Sequence, residues 1–108
     1  MKKLIYVSGP FSNGDTVENT RRACEAGNKL LEKGYIPFIP HLALFWHFAF
    51  PKSREAWIEI DLKILCRCDG IFMMLGYESS EGSKLEHKLA YEMKKLIIYE
   101  QEISNNLR

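Results

Sequence analysis

Leu4-Ile5-Tyr6-Val7-Ser8, followed at once by Gly9-Pro10, is the stretch that decides the fold. A short, uncharged, largely apolar run of this kind reads as a strand buried on both faces, and Gly-Pro ends it in a sharp loop. Strands of that type belong to parallel sheets covered by helices. The residues that follow agree. Phe11-Ser12-Asn13-Gly14-Asp15 is loop chemistry, and Asp15 or Thr16 can cap a helix over 16–33 with Ala23, Ala26, Gly27, Leu30 and Leu31 on one face. Gly34 stops that helix.

Further out, the alternation repeats. Tyr35 to Ile39 reads as a strand, and Pro37 places it at or near a sheet edge, because proline gives no ladder donor. Residues 40–51 form a long aromatic connection with room for a short helix. A helix over 54–67, a strand over 70–75, a loop over 76–83, a helix over 83–94 and a strand over 96–99 complete the series. The polar residues 100–108 read as a frayed tail or a short helix. The order β-α-β-α-β-α-β predicts an α/β fold of one domain over 1–108: a flavodoxin-like three-layer sandwich on a short parallel sheet of four to five strands.

Composition narrows the function classes. The 108 residues are long enough for one core, and a net charge of +1 with no block of like charge gives no electrostatic footprint for nucleic acid or an anionic membrane. The apolar run 36–50 is broken by prolines and histidines and falls short of the ~20 residues of a membrane span. No signal-peptide pattern opens the chain, so a cytoplasmic location is expected. Three cysteines, Cys24, Cys66 and Cys68, make no disulfide framework. Cys66-Arg67-Cys68, with His41 or His47, matches no common zinc spacing, and no metal is expected.

In a sheet of this kind, ligands sit beyond the carboxyl ends of the strands. Two acids stand out there. Asp61 falls within the apolar stripe Trp57, Ile60, Ile64, Leu65, Cys68, where a carboxylate is costly unless bonded. It reads either as a structural acid or as a catalytic one with a pKa raised by burial. Glu86 falls in the first turn of the helix expected to begin at Ser83, as the far half of a capping box or as a catalytic carboxylate. The first loop is no nucleotide-binding Gly-rich motif, since Asp15-Thr16 stands where Lys-Ser/Thr is required. Phe11 either stacks on a flat ligand or plugs the loop. His41 and His47 read as packing or hydrogen-bonding residues rather than metal ligands. Trp46, Phe48 and Phe50 read as a subunit interface or lid, or as a cover over one end of the sheet.

Taken together, Tyr6-Val7-Ser8-Gly9-Pro10, then Trp57-x3-Asp61-Leu62-x2-Leu65-x2-Cys68-Asp69, then Ser80-x-Gly82-x3-Glu86-x3-Ala90 resembles the nucleoside 2-deoxyribosyltransferase-like superfamily, in particular its small branch labelled DUF4406. The resemblance runs from Leu4 to about Tyr99. It implies cleavage or transfer of the N-glycosidic bond of a deoxynucleoside or its 5′-monophosphate, without a cofactor. It implies Glu86 as nucleophile and Asp61 as the acid assisting the base. Ser8, Gly9, Pro10 and Phe11 of the first loop, Ser80 and Gly82 of the last motif, and His41 would contact the substrate. A homodimer or higher homo-oligomer is implied, with an interface expected near Trp46 and Phe48. The related monophosphate hydrolases carry a phosphate-binding arginine in the first loop; Ser12 stands there here, leaving Lys84 or Arg21 as substitutes. The alternative is a non-catalytic nucleoside- or nucleotide-binding module of the same fold.

Overall fold

The computed structural model describes residues 1–106. Four strands, β1 (Leu4–Ser8), β2 (Ile36–Phe38), β3 (Gly70–Met73) and β4 (Leu96–Tyr99), pair in parallel in the order β2-β1-β3-β4. Five helices flank them: α1 (Thr16–Glu32), α2 (Leu44–Ala49), α3 (Arg54–Arg67), α4 (Glu81–Glu92) and α5 (Glu100–Asn106). This is the expected α/β, flavodoxin-like sandwich. Pro37 does lie in an edge strand. Among the described residues no helix is long and apolar enough to cross a membrane.

Direction of travel explains the layers. The chain steps from β1 outward to β2, returns past β1 to β3, and continues to β4. Right-handed crossovers in opposite directions need opposite faces. Accordingly α1 covers one face, where Ile5, Val7, Phe72 and Met74 pack with Ala23, Ala26 and Leu30, and Ile103 of α5 joins them. On the other face, Tyr6, Ile71 and Met73 pack with Leu65 of α3 and Ala90 of α4. The reversal leaves a crevice between the carboxyl ends of β1 and β3, which are in register at Ser8 and Met73.

Local chemistry sets the boundaries. Asp15 caps α1 by accepting from the Glu18 N–H at 3.1 Å, and Ser53 caps α3 through the Ala56 N–H at 3.1 Å. The long connection forms a 3-10 turn over Pro40–Ala43 and then α2. One expectation is corrected at α4. Ser80, not Ser83, is its N-cap, with Oγ accepting from the Ser83 N–H at 3.2 Å. Glu86 therefore sits in the second turn and has no part in a capping box. Gly9 is required by proximity: a Cβ there would lie 2.8 Å from Cβ of Met74 and closer still to its sulfur.

The end of α3 is a structural joint. The Lys95 ammonium donates to the carbonyls of Cys66 and Cys68 at 3.2 and 2.6 Å, and the Asp69 carboxylate accepts from the Leu4 N–H at 2.7 Å. The Cys68 thiol donates to the Ile64 carbonyl at 3.5 Å. Among the described residues no three His, Cys, Asp or Glu side chains group as metal ligands.

Candidate active site

A cavity of about 490 Å³ opens at the crevice, within the size range of small-molecule sites. The first loop, the 3-10 turn with α2, the exposed half of α3, and the start of α4 enclose it. Asp61 and Glu86 both line it. The two acids singled out in the sequence, 25 positions apart, thus share one space.

Strand periodicity fixes Glu86. Tyr6 and Ser8 point to the same side of β1 because side chains alternate. The Tyr6 hydroxyl donates to Glu86 Oε2 at 2.7 Å, and the Ser8 hydroxyl donates to Oε1 at 2.6 Å. Glu86 is only 8% exposed. Burial, joined by the smaller effect of the Asp61 charge, pushes its carboxyl up to about 7 against the two hydroxyls that favour the anion. Burial alone raises Asp61 to about 6. The Tyr6 phenol is held well above its usual range by burial and then by the two carboxylates, so it remains a donor.

The apolar stripe of α3 proves to have two destinations. Its C-terminal part, Ile64 and Leu65, packs on the sheet. Its N-terminal part overhangs the cavity, where Arg54, Trp57, Ile58 and Asp61 follow one helical face. Asp61 is thus an acid on a cavity wall, not one embedded in the core.

The other candidates divide. Gly9, Phe11, His41, Ser80 and Gly82 line the cavity. Ser8 stands behind Glu86, and Pro10 is turned away, its carbonyl accepting from Nε2 of buried His41 at 3.1 Å. That bond places the ring proton on Nε2, and Nδ1 is buried with no partner among the described residues. Burial lowers the His41 pKa, with the Pro10 and Gly9 carbonyls opposing, so the ring is held toward its neutral form. Phe11 meets His41 edge to face at 5.9 Å. A Cβ on Gly82 would find nothing nearer than Ser80 Oγ at 4.0 Å, so this glycine borders open space of the cavity.

Two contributors went unassigned in the sequence. Tyr6 carries a legible signal: hydroxyls at alternate positions of a buried strand need a polar partner. Asn19 is the second. It lies on the buried stripe of α1, four residues before Ala23, and its amide donates to the carbonyls of Phe11 and Asn13 at 3.0 and 2.8 Å, shaping the first loop. Asn13 in turn donates to the Ser79 carbonyl at 3.1 Å, joining the loops that carry Phe11 and Ser80.

Neither proposed substitute for the missing first-loop arginine lines the cavity. Arg21 is engaged by Glu18 and Glu25 on the outside of α1, and Lys84 pairs with Glu81.

No curated protein matches the chain. Residues 3–99 do match a family model described as a domain of unknown function, DUF4406, which accounts for both acids, the first loop and the whole sheet. The chain belongs to the DUF4406 family.

Proposed function

We propose that this protein is a member of the nucleoside 2-deoxyribosyltransferase-like superfamily that cleaves or transfers the N-glycosidic bond of a deoxynucleoside or its 5′-monophosphate. The observation that carries the reading is the pairing of Asp61 and Glu86 in one cavity, with each oxygen of Glu86 held by a hydroxyl of β1. Held in this way, the carboxylate is oriented and keeps a lone pair on each oxygen for attack.

In the first step a Glu86 oxygen bonds to the anomeric carbon as the carbon–nitrogen bond breaks. The bonding pair leaves with the base, and the Asp61 proton goes to a nitrogen of that base. In the second step water or another base attacks the anomeric carbon of the glycosyl ester. Its proton passes to the Asp61 carboxylate, and the Glu86 carboxylate is released. The productive state pairs ionised Glu86 with protonated Asp61. Burial raises both acids, which keeps a proton within the pair near neutrality. Glu86, at about 7, holds it more tightly than Asp61, at about 6, so the productive form is the minor one-proton state, populated because the Tyr6 and Ser8 hydroxyls favour the anion on Glu86.

The test is chromatographic detection of free base after incubation with each deoxynucleoside and each 5′-monophosphate, with and without an acceptor base. Release or exchange that disappears in Glu86→Gln supports the reading. Thermal stabilisation by these ligands without turnover would leave a binding module instead.

The same reading includes assembly. Phe45, Phe48 and Phe50 are 68–80% exposed beside the half-exposed Trp46, and a second copy would cover them. Sedimentation should then give more than a monomer, and Phe48→Asp should reduce it.

A further inference from the structure

The cavity holds the carboxylates of Asp61 and Glu86 and, at the corner between α2 and α3, two cations. Of the charged side chains lining it, Asp61, Glu81 and Glu86 are acids, and Lys52 and Arg54 are the cations. Among the described residues neither cation makes an ion pair. Both are nevertheless positioned. The Lys52 ammonium lies 4.7 Å from the Trp46 ring centroid and 6.0 Å from that of Trp57, so two aromatic faces hold it at the wall. Arg54 opens α3 and lies seven residues before Asp61 on the same helical face. That separation is about 10 Å along the axis.

A third donor stands beside them. Nδ1 of His47 accepts the Trp57 indole N–H at 2.8 Å, which places the ring proton on Nε2. His47 lines the cavity, and among the described residues its Nε2–H has no hydrogen-bond partner. An ammonium, a guanidinium and an imidazole N–H at one corner of a cavity, separated along α3 from the Asp61 carboxylate, match a ligand that is anionic at one end only.

We infer that Lys52, Arg54 and His47 bind the phosphate of a 5′-monophosphate, so that the preferred substrate is the nucleotide rather than the nucleoside. This rests on the proposed function for the identity of the other end of the ligand. Guanidinium and ammonium bonds to phosphate are charge-assisted and stronger than neutral ones. The separation along α3 keeps the phosphate off Asp61, whose charge would otherwise repel it.

The experiment measures dissociation constants by calorimetry for the intact protein with a deoxynucleoside, its 5′-monophosphate and inorganic phosphate, alongside base release from the first two. The expected result is a monophosphate preference of about tenfold or more. In Lys52→Gln/Arg54→Gln that preference should collapse toward one, while Arg54→Lys keeps part of it. Arg21→Gln and Lys84→Gln, engaged elsewhere, should keep the full ratio. Competition by inorganic phosphate against the monophosphate, lost in the double variant, supports the same assignment.

A parent protein with no preference overturns the inference. So does a preference that survives the double variant, which would move the phosphate to the start of α4. If base is released from deoxynucleosides but phosphate adds nothing, only this inference fails. If neither ligand binds or reacts, the functional reading fails with it. Unaltered melting of the double variant without ligand excludes misfolding as the cause of a lost ratio.

Discussion

Ile5 and Val7 lie on one face of β1 in an apolar cluster with Ala23, Leu30, Phe72 and Met74, whereas Tyr6 and Ser8 on the other face end in hydroxyls bonded to Glu86. All four are equally buried. What differs is the effect of burial. On the α1 face it removes hydrocarbon from water and stabilises the fold. On the α4 face it encloses a carboxylate, which costs stability and raises the pKa to about 7. One five-residue strand therefore separates a stabilising face from one that holds a carboxylate at a cost, by alternation alone.

Four substitutions or conditions sharpen or break that contrast. The largest effect is expected for Glu86→Gln, which should lower base release at least about a thousandfold, about 4 kcal/mol of transition-state stabilisation, with far-ultraviolet circular dichroism unchanged. Residual turnover near the parent rate would remove Glu86 from the chemistry. Ile5→Ala comes next. It should cost about 3 kcal/mol in urea unfolding through lost burial and a cavity, yet leave kcat of the remaining folded protein near the parent value. A large kcat loss with little destabilisation would erase the distinction between the faces.

The third prediction concerns pH. The folded-state pKa of Glu86, about 7, lies above its ordinary 4.5, so the folded state holds a proton through that window that the unfolded state has lost. Stability should fall as pH rises from about 4.5 to about 7, and Asp61 adds the same sign between 3.8 and about 6. Glu86→Gln should thus be the more stable protein at pH 8, by about 2–3 kcal/mol, with the gap closing by pH 5. Equal stability at both values would deny that the carboxylate is held at a cost. The rate of base release should rise and fall about a maximum between pH 6 and 7, since it needs Glu86 ionised and Asp61 protonated.

The smallest effect is expected for Tyr6→Phe. Losing one donor to the Glu86 anion should lower the rate about tenfold and move the alkaline limb of the pH profile, which Glu86 sets as the weaker acid of the pair, upward, with stability within about 1.5 kcal/mol. An unmoved alkaline limb would reduce Tyr6 to a packing residue.

Much of this contrast is written locally in the chain. The β1 run, the Asp15 cap and the α1 stripe act over neighbouring residues, and periodicity reveals them. Asp61 was legible because it breaks an apolar stripe. Glu86 was legible mainly through the spacing Ser80-x-Gly82-x3-Glu86, and its local environment was misread. Ser80 and Ser83 stand three apart and offer two capping registers, and the turn over Tyr77–Ser79 selects the earlier one. The Tyr6 and Ser8 contacts span about 80 residues, and no local pattern names their partner. The pair of cations was invisible for the same reason: Lys52 and Arg54 face the cavity only because the corner between α2 and α3 turns them there.

The absent side chain at position 9 ties two distant parts of the chain into one choice. The thioether of Met74 occupies the volume that any larger residue at 9 would claim. Alanine at 9 should therefore displace the segment bearing Phe11, whereas alanine at 9 together with a shorter residue at 74 should restore it. Among relatives, the two positions are expected to change together or not at all.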